Sequence, residues 1–387
     1  MGTVPAGDKP PAGVERRVVA LDGLRGMMTI LVVVSHYFGE LPHGVSGLMF
    51  GWVAVDMFYV LSGYLIGRLI LERGRHVNFL SVFYLRRICR TLPIYFFCVI
   101  VILLISDWIG SPAWLPDQVE FPSWSYFTFT QNMWMALTGS IGSHWLAPTW
   151  TLAVEEQFYL LAPAVVLMIP RRYLIPALGG GMLIGVTTRG FIIETAHLPS
   201  MAAHTLLPAN ADILVAGLLA AVLIKTPNLR WEMVDRWIRV APLGILVFLI
   251  LFRLGEGSND QLFQIGADLL VSIACAIYLL SLVRGTPEAK RYESKVLCFF
   301  GNISYAVYLT HLPILGLMHG FILDSVPDLT NVTQLGVTLA AIPICILTSW
   351  VLTKIVEEPI TNFGRTFKWS EGIKDWAQPQ RASAYTA

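Results

Sequence analysis

The stretch LDGLRGMMTILVVVSHYF, residues 21–38, has the length and apolar content of a membrane span, but Arg25 and His36 interrupt it. A charged side chain at mid-bilayer costs roughly 2.5–3.5 kcal/mol on insertion scales. A span that keeps Arg25 therefore turns one face toward protein or water. Arg25 and His36 are eleven residues apart, about three helical turns and roughly 16 Å along the axis, and so share that face. Taken by themselves, an ion-paired structural arginine and a satisfied core histidine read as well as a reactive pair.

The rest of the chain has the same character. Of 387 residues, 55% are hydrophobic and only 14% charged, with a mean hydropathy of +0.62; soluble domains carry about 25% charged residues. A net charge of +1 gives no overall pull toward nucleic acid. Apolar runs long enough to cross roughly 30 Å of hydrocarbon fall at 19–38, 47–71, 91–110, 150–169, 173–192, 207–225, 240–254, 262–283, 299–322 and 333–356. The expected fold is all-α, a polytopic bundle of about ten transmembrane helices in a multi-pass cell membrane protein. With the N-terminus in the cytoplasm, the 27 Lys and Arg fall in inside segments except for Arg25, Arg189 and Arg253, and the segment 111–149 has none. This alternation follows the positive-inside rule and places both termini in the cytoplasm. One membrane domain is expected over 19–358, after a disordered Pro/Gly-rich tail (1–18) and before a cytoplasmic tail (359–387). No cleavable signal peptide is visible in MGTVPAGDKPPAGVERR. Cys89, Cys98, Cys275, Cys298 and Cys345 stand far apart, with no CxxC and no histidine at ligand spacing. They read as small buried hydrophobes, with no metal expected.

Polar residues inside the spans are the candidates for chemistry. WTLAVEEQFYLL starts the fourth span and carries Glu155 and Glu156 to about the depth of His36; as neighbours they point about 100° apart on a helix. Either one fits a site, the other a packing partner. Asp56 lies in the second span ahead of Gly63 and Gly67, whose GxxxG spacing more often means close helix packing than chemistry. His311 precedes Pro313 in ISYAVYLTHLP, where a loosened helix can turn polar groups inward. Asp212 and Asp268 are further buried acids. The densest basic site is Arg86, Arg87 and Arg90 in YLRRICRTLPIYF. It serves topology and anionic lipid equally well, or a phosphate-binding mouth, since guanidinium forks match phosphate oxygens. Residues 108–150 hold six tryptophans, in keeping with an interfacial belt.

Taken together, LDGLRG with His36, GWVAVDMFYVLSGYLIG, Arg87 and Arg90 in RRICR, WTLAVEEQFYLL, FGNISYAVYLTHLPI and VEEPI resemble the acyltransferase 3 family of membrane O-acyltransferases over nearly the whole chain. Thr151 stands where that family usually has serine. The resemblance implies transfer of an acyl group, usually acetyl, from cytoplasmic acetyl-CoA or another short acyl-CoA to a hydroxyl of a glycan, glycolipid or macrolide-type acceptor. It implies His36, Glu155, Glu156 and Arg25 as catalytic residues, with Glu155 or Glu156 orienting His36. Arg86, Arg87, Arg90 and Arg25 are expected to hold the donor, and Asp56, Trp150, Tyr159 and His311 to contact substrate. An acyl-enzyme on Ser35, Ser62 or His36 is a competing route. A proton-coupled transporter or flippase built on the same His, Glu and Arg residues is the alternative function, although no internal repeat of the kind transporters carry is visible.

Overall fold

A computed structural model describes residues 18–110, 112, 114–115, 119–194, 198–226, 231–232, 244 and 261–370, and the described residues form a bundle of helices. In chain order the helices that matter here are α1 (Val19–Val34), α2 (Gly51–Arg73), α3 (Phe79–Ile109), α4 (Thr149–Met168), α5 (Arg171–Glu194), α6 (Ala211–Leu223), α7 (Gln261–Val283), α8 (Lys295–Leu323), α9 (Val332–Leu352) and α10 (Glu358–Arg365). Two π-helical turns, Ser35–Gly39 and Thr353–Glu357, extend α1 and join α9 to α10. Seven helical stretches are long and apolar enough to cross a membrane: Val19–Gly39, Ser46–Arg73, Phe79–Ile109, Thr149–Met168, Arg171–Glu194, Lys295–Leu323 and Val332–Arg365. The protein is an integral, multi-pass membrane protein. The sixth and eighth expected spans appear as shorter apolar helices, Leu207–Leu223 and Asp268–Val283. The expected span 240–254 and the N-terminal tail lie almost wholly outside the described residues.

Two boundaries differ from the sequence expectation. The third apolar run begins at 91, but α3 starts at Phe79, so Arg86, Arg87 and Arg90 project from a helix and not from a loop. At about 100° per residue, Arg86 and Arg87 diverge, and Arg90 falls between them in azimuth, about 40° from Arg86 and about 60° from Arg87. The polar tail expected from 359 is still helical to Arg365. Pro359 occupies the first turn of α10, directly after the π-helical turn Thr353–Glu357.

Close backbone approaches set the relative positions of the helices. A Cβ on Gly63 would overlap the Leu214 carbonyl oxygen, and one on Gly217 the Val60 carbonyl oxygen, so α2 and α6 interlock reciprocally. The GxxxG spacing thus serves packing. At a second crossing, Gly23 and Gly26 of α1 lie over the carbonyls of Tyr292 and Leu297, and Gly301 of α8 lies over that of Asp22. Gly26 also faces Gly301, and ten residues further along each helix His36 meets His311, so α1 and α8 run parallel. On the outer loop, Trp114 and Trp145 are buried against Gly320 and Gly316 of α8, and only some tryptophans, such as Trp108 and Trp124, are exposed in the manner of a belt. The His43 ring, 2.8 Å from Asp328, ties the α1–α2 loop to the α8–α9 loop.

Gly63→Ala is expected to destabilise the protein by about 2 kcal/mol or more, because the new methyl has to push back a backbone carbonyl. Gly180→Ala, where nothing stands within 4 Å, should be neutral or stabilising by up to about 1 kcal/mol. Thermal unfolding of the two variants in detergent checks the contrast.

Candidate active site

A cavity lies between α1, α2, α3, α4 and α8 and contains about 860 Å³ of space, including its open mouth. Thr151, Glu155 and Tyr159 line it from α4. Their i, i+4, i+8 spacing makes a stripe roughly 12 Å long. Ser62 and Tyr59 of α2 and Ser304, Tyr305 and Tyr308 of α8 form further walls. Arg25, Arg87 and Arg90 line the same space. Among the lining residues, three guanidinium groups face one carboxylate, Glu155. Glu156 and Glu357 stand within electrostatic reach behind Arg87 and Arg90. The Arg87 guanidinium lies over the Tyr159 ring, 4.7 Å from its centroid. The Tyr159 hydroxyl is 3.0 Å from Ser62 Oγ and 3.2 Å from Glu155 Oε2, while Ser62 Oγ donates to Glu155 Oε1 at 2.6 Å. Glu155 is therefore held by hydroxyl donors and cations inside the cavity.

His36 occupies the π-helical turn at the end of α1, a distortion that often marks functional positions. Its Nδ1 is 2.9 Å from Nε2 of His311. The ring planes are 28° from parallel and the centroids 4.9 Å apart, close to the coplanar arrangement of a hydrogen bond in the ring plane. His311 Nδ1 lies 3.0 Å from the Val307 carbonyl oxygen, and the Tyr37 hydroxyl donates to the His311 carbonyl at 2.9 Å. On the other side of His36, Nε2 is 3.5 Å from Glu40 Oε2. Glu40 accepts a bond from Ser35 Oγ at 2.8 Å, and Ser35 Oγ accepts the N–H of Gly51 at 3.0 Å. Between this group and the cavity stands Tyr308. Its ring is 5.9 Å from that of His311, and its hydroxyl, 2.7 Å from Thr151 Oγ1, lies at the cavity wall.

Several expected partnerships are different here. Glu155 and Glu156 do not orient His36: Glu155 bonds Ser62 and Tyr159, and Glu156 sits beside Thr91 and Arg87. The fourth helix presents both carboxylates toward α2 and α3, and the carboxylate beside His36 is Glu40. The i, i+4 spacing of His36 and Glu40 could have exposed that pair in the sequence. Arg86 does not reach the cavity. Its Nε and Nη2 donate to the Phe367 carbonyl at 3.0 and 2.6 Å, and its guanidinium stacks over Trp369 at 4.8 Å. It thereby caps the end of α10. Asp56 faces a different buried cluster, with Arg189, Asp212 and Asp268 as its electrostatic neighbours. There Arg189, 1% exposed, forks onto Asp212 at 2.9 and 3.2 Å and places Nε 3.2 Å from Asp268. His311 is fully buried with both ring nitrogens engaged, which leaves no ring atom for a substrate. Trp150 lines a separate outer pocket with His204 and Met201 and packs edge-on against Tyr59 of the main cavity. Tyr159 lines the main cavity. Tyr305 and Tyr308, which the sequence reading had not singled out, become wall residues only when α8 meets α4.

The arrangement is that of a membrane-embedded site with a cationic cavity next to an imidazole pair. A family model described as an acyltransferase domain, that of acyltransferase 3, matches residues 18–354. The chain belongs to this family. It is similar to the O-acetyltransferase OatA of Staphylococcus aureus strain NCTC 8325, 24% identical over 368 residues, covering 90% of this chain and 58% of OatA. It is also similar to a protein of S. aureus strain COL named “Putative O-acetyltransferase”, 26% identical over 330 residues, covering 80% of this chain and 52% of that protein. The chain thus spans about half the length of the curated relatives it matches. No solved structure matches it.

Arg86→Ala should free the segment 366–370 without disturbing the cavity. A Ser370→Cys probe is expected to react with a thiol reagent several-fold faster in that background, and no faster when Thr91, on the cavity side of α3, is changed to Val.

Proposed function

We propose that this protein moves a short acyl group, acetyl in the first instance, from a coenzyme A thioester to a hydroxyl group, with His36 as general base. The observation that carries the reading is that Arg25, Arg87 and Arg90, which come from two different helices, line one cavity whose far wall, at Tyr308, abuts the His36–His311 pair. An excess of guanidinium groups at one end of a narrow space suits a polyanion with a thin arm. Arg87 and Arg90 take the donor phosphates, and Arg25 sits along the arm. Family membership and the named O-acetyltransferase relatives support O-acylation. The charge alternation along the chain supports ten crossings, with the donor entering from the cytoplasm. The acceptor is a glycan, glycolipid or macrolide-type alcohol reaching His36 from the opposite half of the membrane.

In this reaction His36 removes the acceptor's hydroxyl proton as the oxygen attacks the thioester carbonyl. The new C–O bond forms, the C–S bond breaks, and the departing thiolate takes the proton from the imidazolium. A base so placed contributes roughly 10²–10⁴-fold. A second route has one observation behind it: Ser62 Oγ, in the cavity wall, donates to Glu155 at 2.6 Å, the geometry of a serine beside a base.

Purified protein with labelled acetyl-CoA and a panel of hydroxyl acceptors should release free thiol only when an acceptor is present. His36→Ala is expected to lower kcat roughly 10²–10⁴-fold, and Arg87→Glu with Arg90→Glu to raise the donor KM by about tenfold or more. A folded His36→Ala protein that works at full rate ends the base assignment, and substrate uptake into vesicles without thiol release favours a transporter. Loss of activity in Ser62→Ala, with labelled acyl-enzyme trapped on wild type, favours the covalent route.

A further inference from the structure

The geometry assigns to His311 the role of a positioning residue: we propose that it fixes the tautomer of His36, so that Nε2 is the atom that takes the acceptor's proton. This rests on the reading of His36 as the base. The assignment follows from which atoms can donate. The Val307 carbonyl only accepts, so His311 Nδ1, 3.0 Å away, carries a hydrogen. A fully buried imidazole that faces a carbonyl and another neutral ring stays neutral. The lone pair of His311 is then on Nε2. That nitrogen stands 2.9 Å from His36 Nδ1, so the single hydrogen between the rings belongs to His36 Nδ1. The His36 lone pair is consequently on Nε2.

The opposite tautomer would set two lone pairs against each other at 2.9 Å. The chain of bonds is therefore directional: Val307 carbonyl, His311, His36, then outward to whatever approaches Nε2. With 21% of its side chain exposed, His36 is reachable, whereas His311 is not. When Nε2 gains a proton, the new N–H points at Glu40 Oε2, 3.5 Å away. Glu40 is itself held by Ser35, whose oxygen is anchored on the N–H of Gly51. A carboxylate that orients a histidine has the same function in other sites. Here a second histidine does the orienting, and the carboxylate waits on the proton-receiving side. The titratable groups facing His36 are His311 from α8, Glu40 from its own turn and His144 from the loop before α4.

The test compares side chains that copy one ring nitrogen or the other. In His311→Gln, the Oε1 atom reaches the place of Nε2 and can accept from His36 Nδ1. In His311→Asn the amide ends at the level of Nδ1 and cannot. In His311→Leu nothing accepts. Each purified variant is checked for monodispersity and thermal unfolding before kcat, donor KM and the pH–rate profile are measured. His311→Leu and His311→Asn are expected to lose roughly 10²–10⁴-fold in kcat with donor KM within about twofold of wild type. Their pH–rate profiles should be displaced, and His311→Gln should recover at least about tenfold of the loss. Equal rates for Gln and Asn, or a wild-type rate and pH profile in any variant without an acceptor, overturn the proposal. Should His311→Leu fail to fold, the Gln and Asn pair, both polar, still decides. A fully active His36→Ala defeats the base reading and this inference together. An inactive His36→Ala with no difference among the His311 variants defeats the inference alone.

Discussion

The site depends on how closely α1 can lie on α8. Gly26 and Gly301 leave no side chain between the two backbones, and a single methyl at either would meet a carbonyl oxygen of the partner helix, while one at Gly23 would meet that of Tyr292 just before α8. In a bilayer, where lipid tails are as apolar as leucine, such small-residue contacts are the main source of helix association. Because the helices run parallel, the register set at Gly26 and Gly301 is kept along both. His36 is ten residues beyond the first and His311 ten beyond the second. At 1.5 Å per residue both imidazoles arrive at the same height, roughly 15 Å from the crossing. The 2.9 Å bond between the two rings is the consequence of that shared spacing. The glycines of LDGLRG therefore position the histidine at the far end of the same helix.

Charge is handled in two different ways within the bundle. Arg189, Asp212 and Asp268 form a buried cluster, with the arginine fork matched to Asp212, Nη2 also donating to the Ala209 carbonyl, and Nε 3.2 Å from Asp268. Removing one partner from a group so buried costs more than the pair contributes, and the cluster reads as structure joining α5, α6 and α7. Arg25, Arg87 and Arg90 instead line open space. A cation beside a cavity keeps part of its hydration and remains able to bind an anion. This difference in access, and not the presence of an intramembrane arginine, separates scaffold from candidate site.

Much of this was legible in the sequence. Composition and the alternation of Lys and Arg decide the class, because the bilayer demands long apolar helices and topology follows basic residues. The eleven-residue interval between Arg25 and His36 placed them on one face before any partner was known. The GxxxG spacing at Gly63 and Gly67 announced a close helix contact. Depth in the membrane does not by itself assign partners. Two carboxylates at the level of His36 were matched with it, although the rotation of α4 turns them toward α2 and α3.

What the sequence by itself determined is thus the solvent, the helices and the inventory of polar groups each helix carries, since these follow from local periodicity and the cost of burying charge. The tertiary structure alone decided who meets whom. Arg86 and Arg87 are adjacent in the chain, yet one caps the end of α10 and the other lines the cavity, because one residue is about 100° of helical rotation. His36 and His311 are 275 residues apart and share a hydrogen bond. Azimuth and register between helices come from backbone contacts at a few glycines, and no pattern within a single helix encodes the face of another.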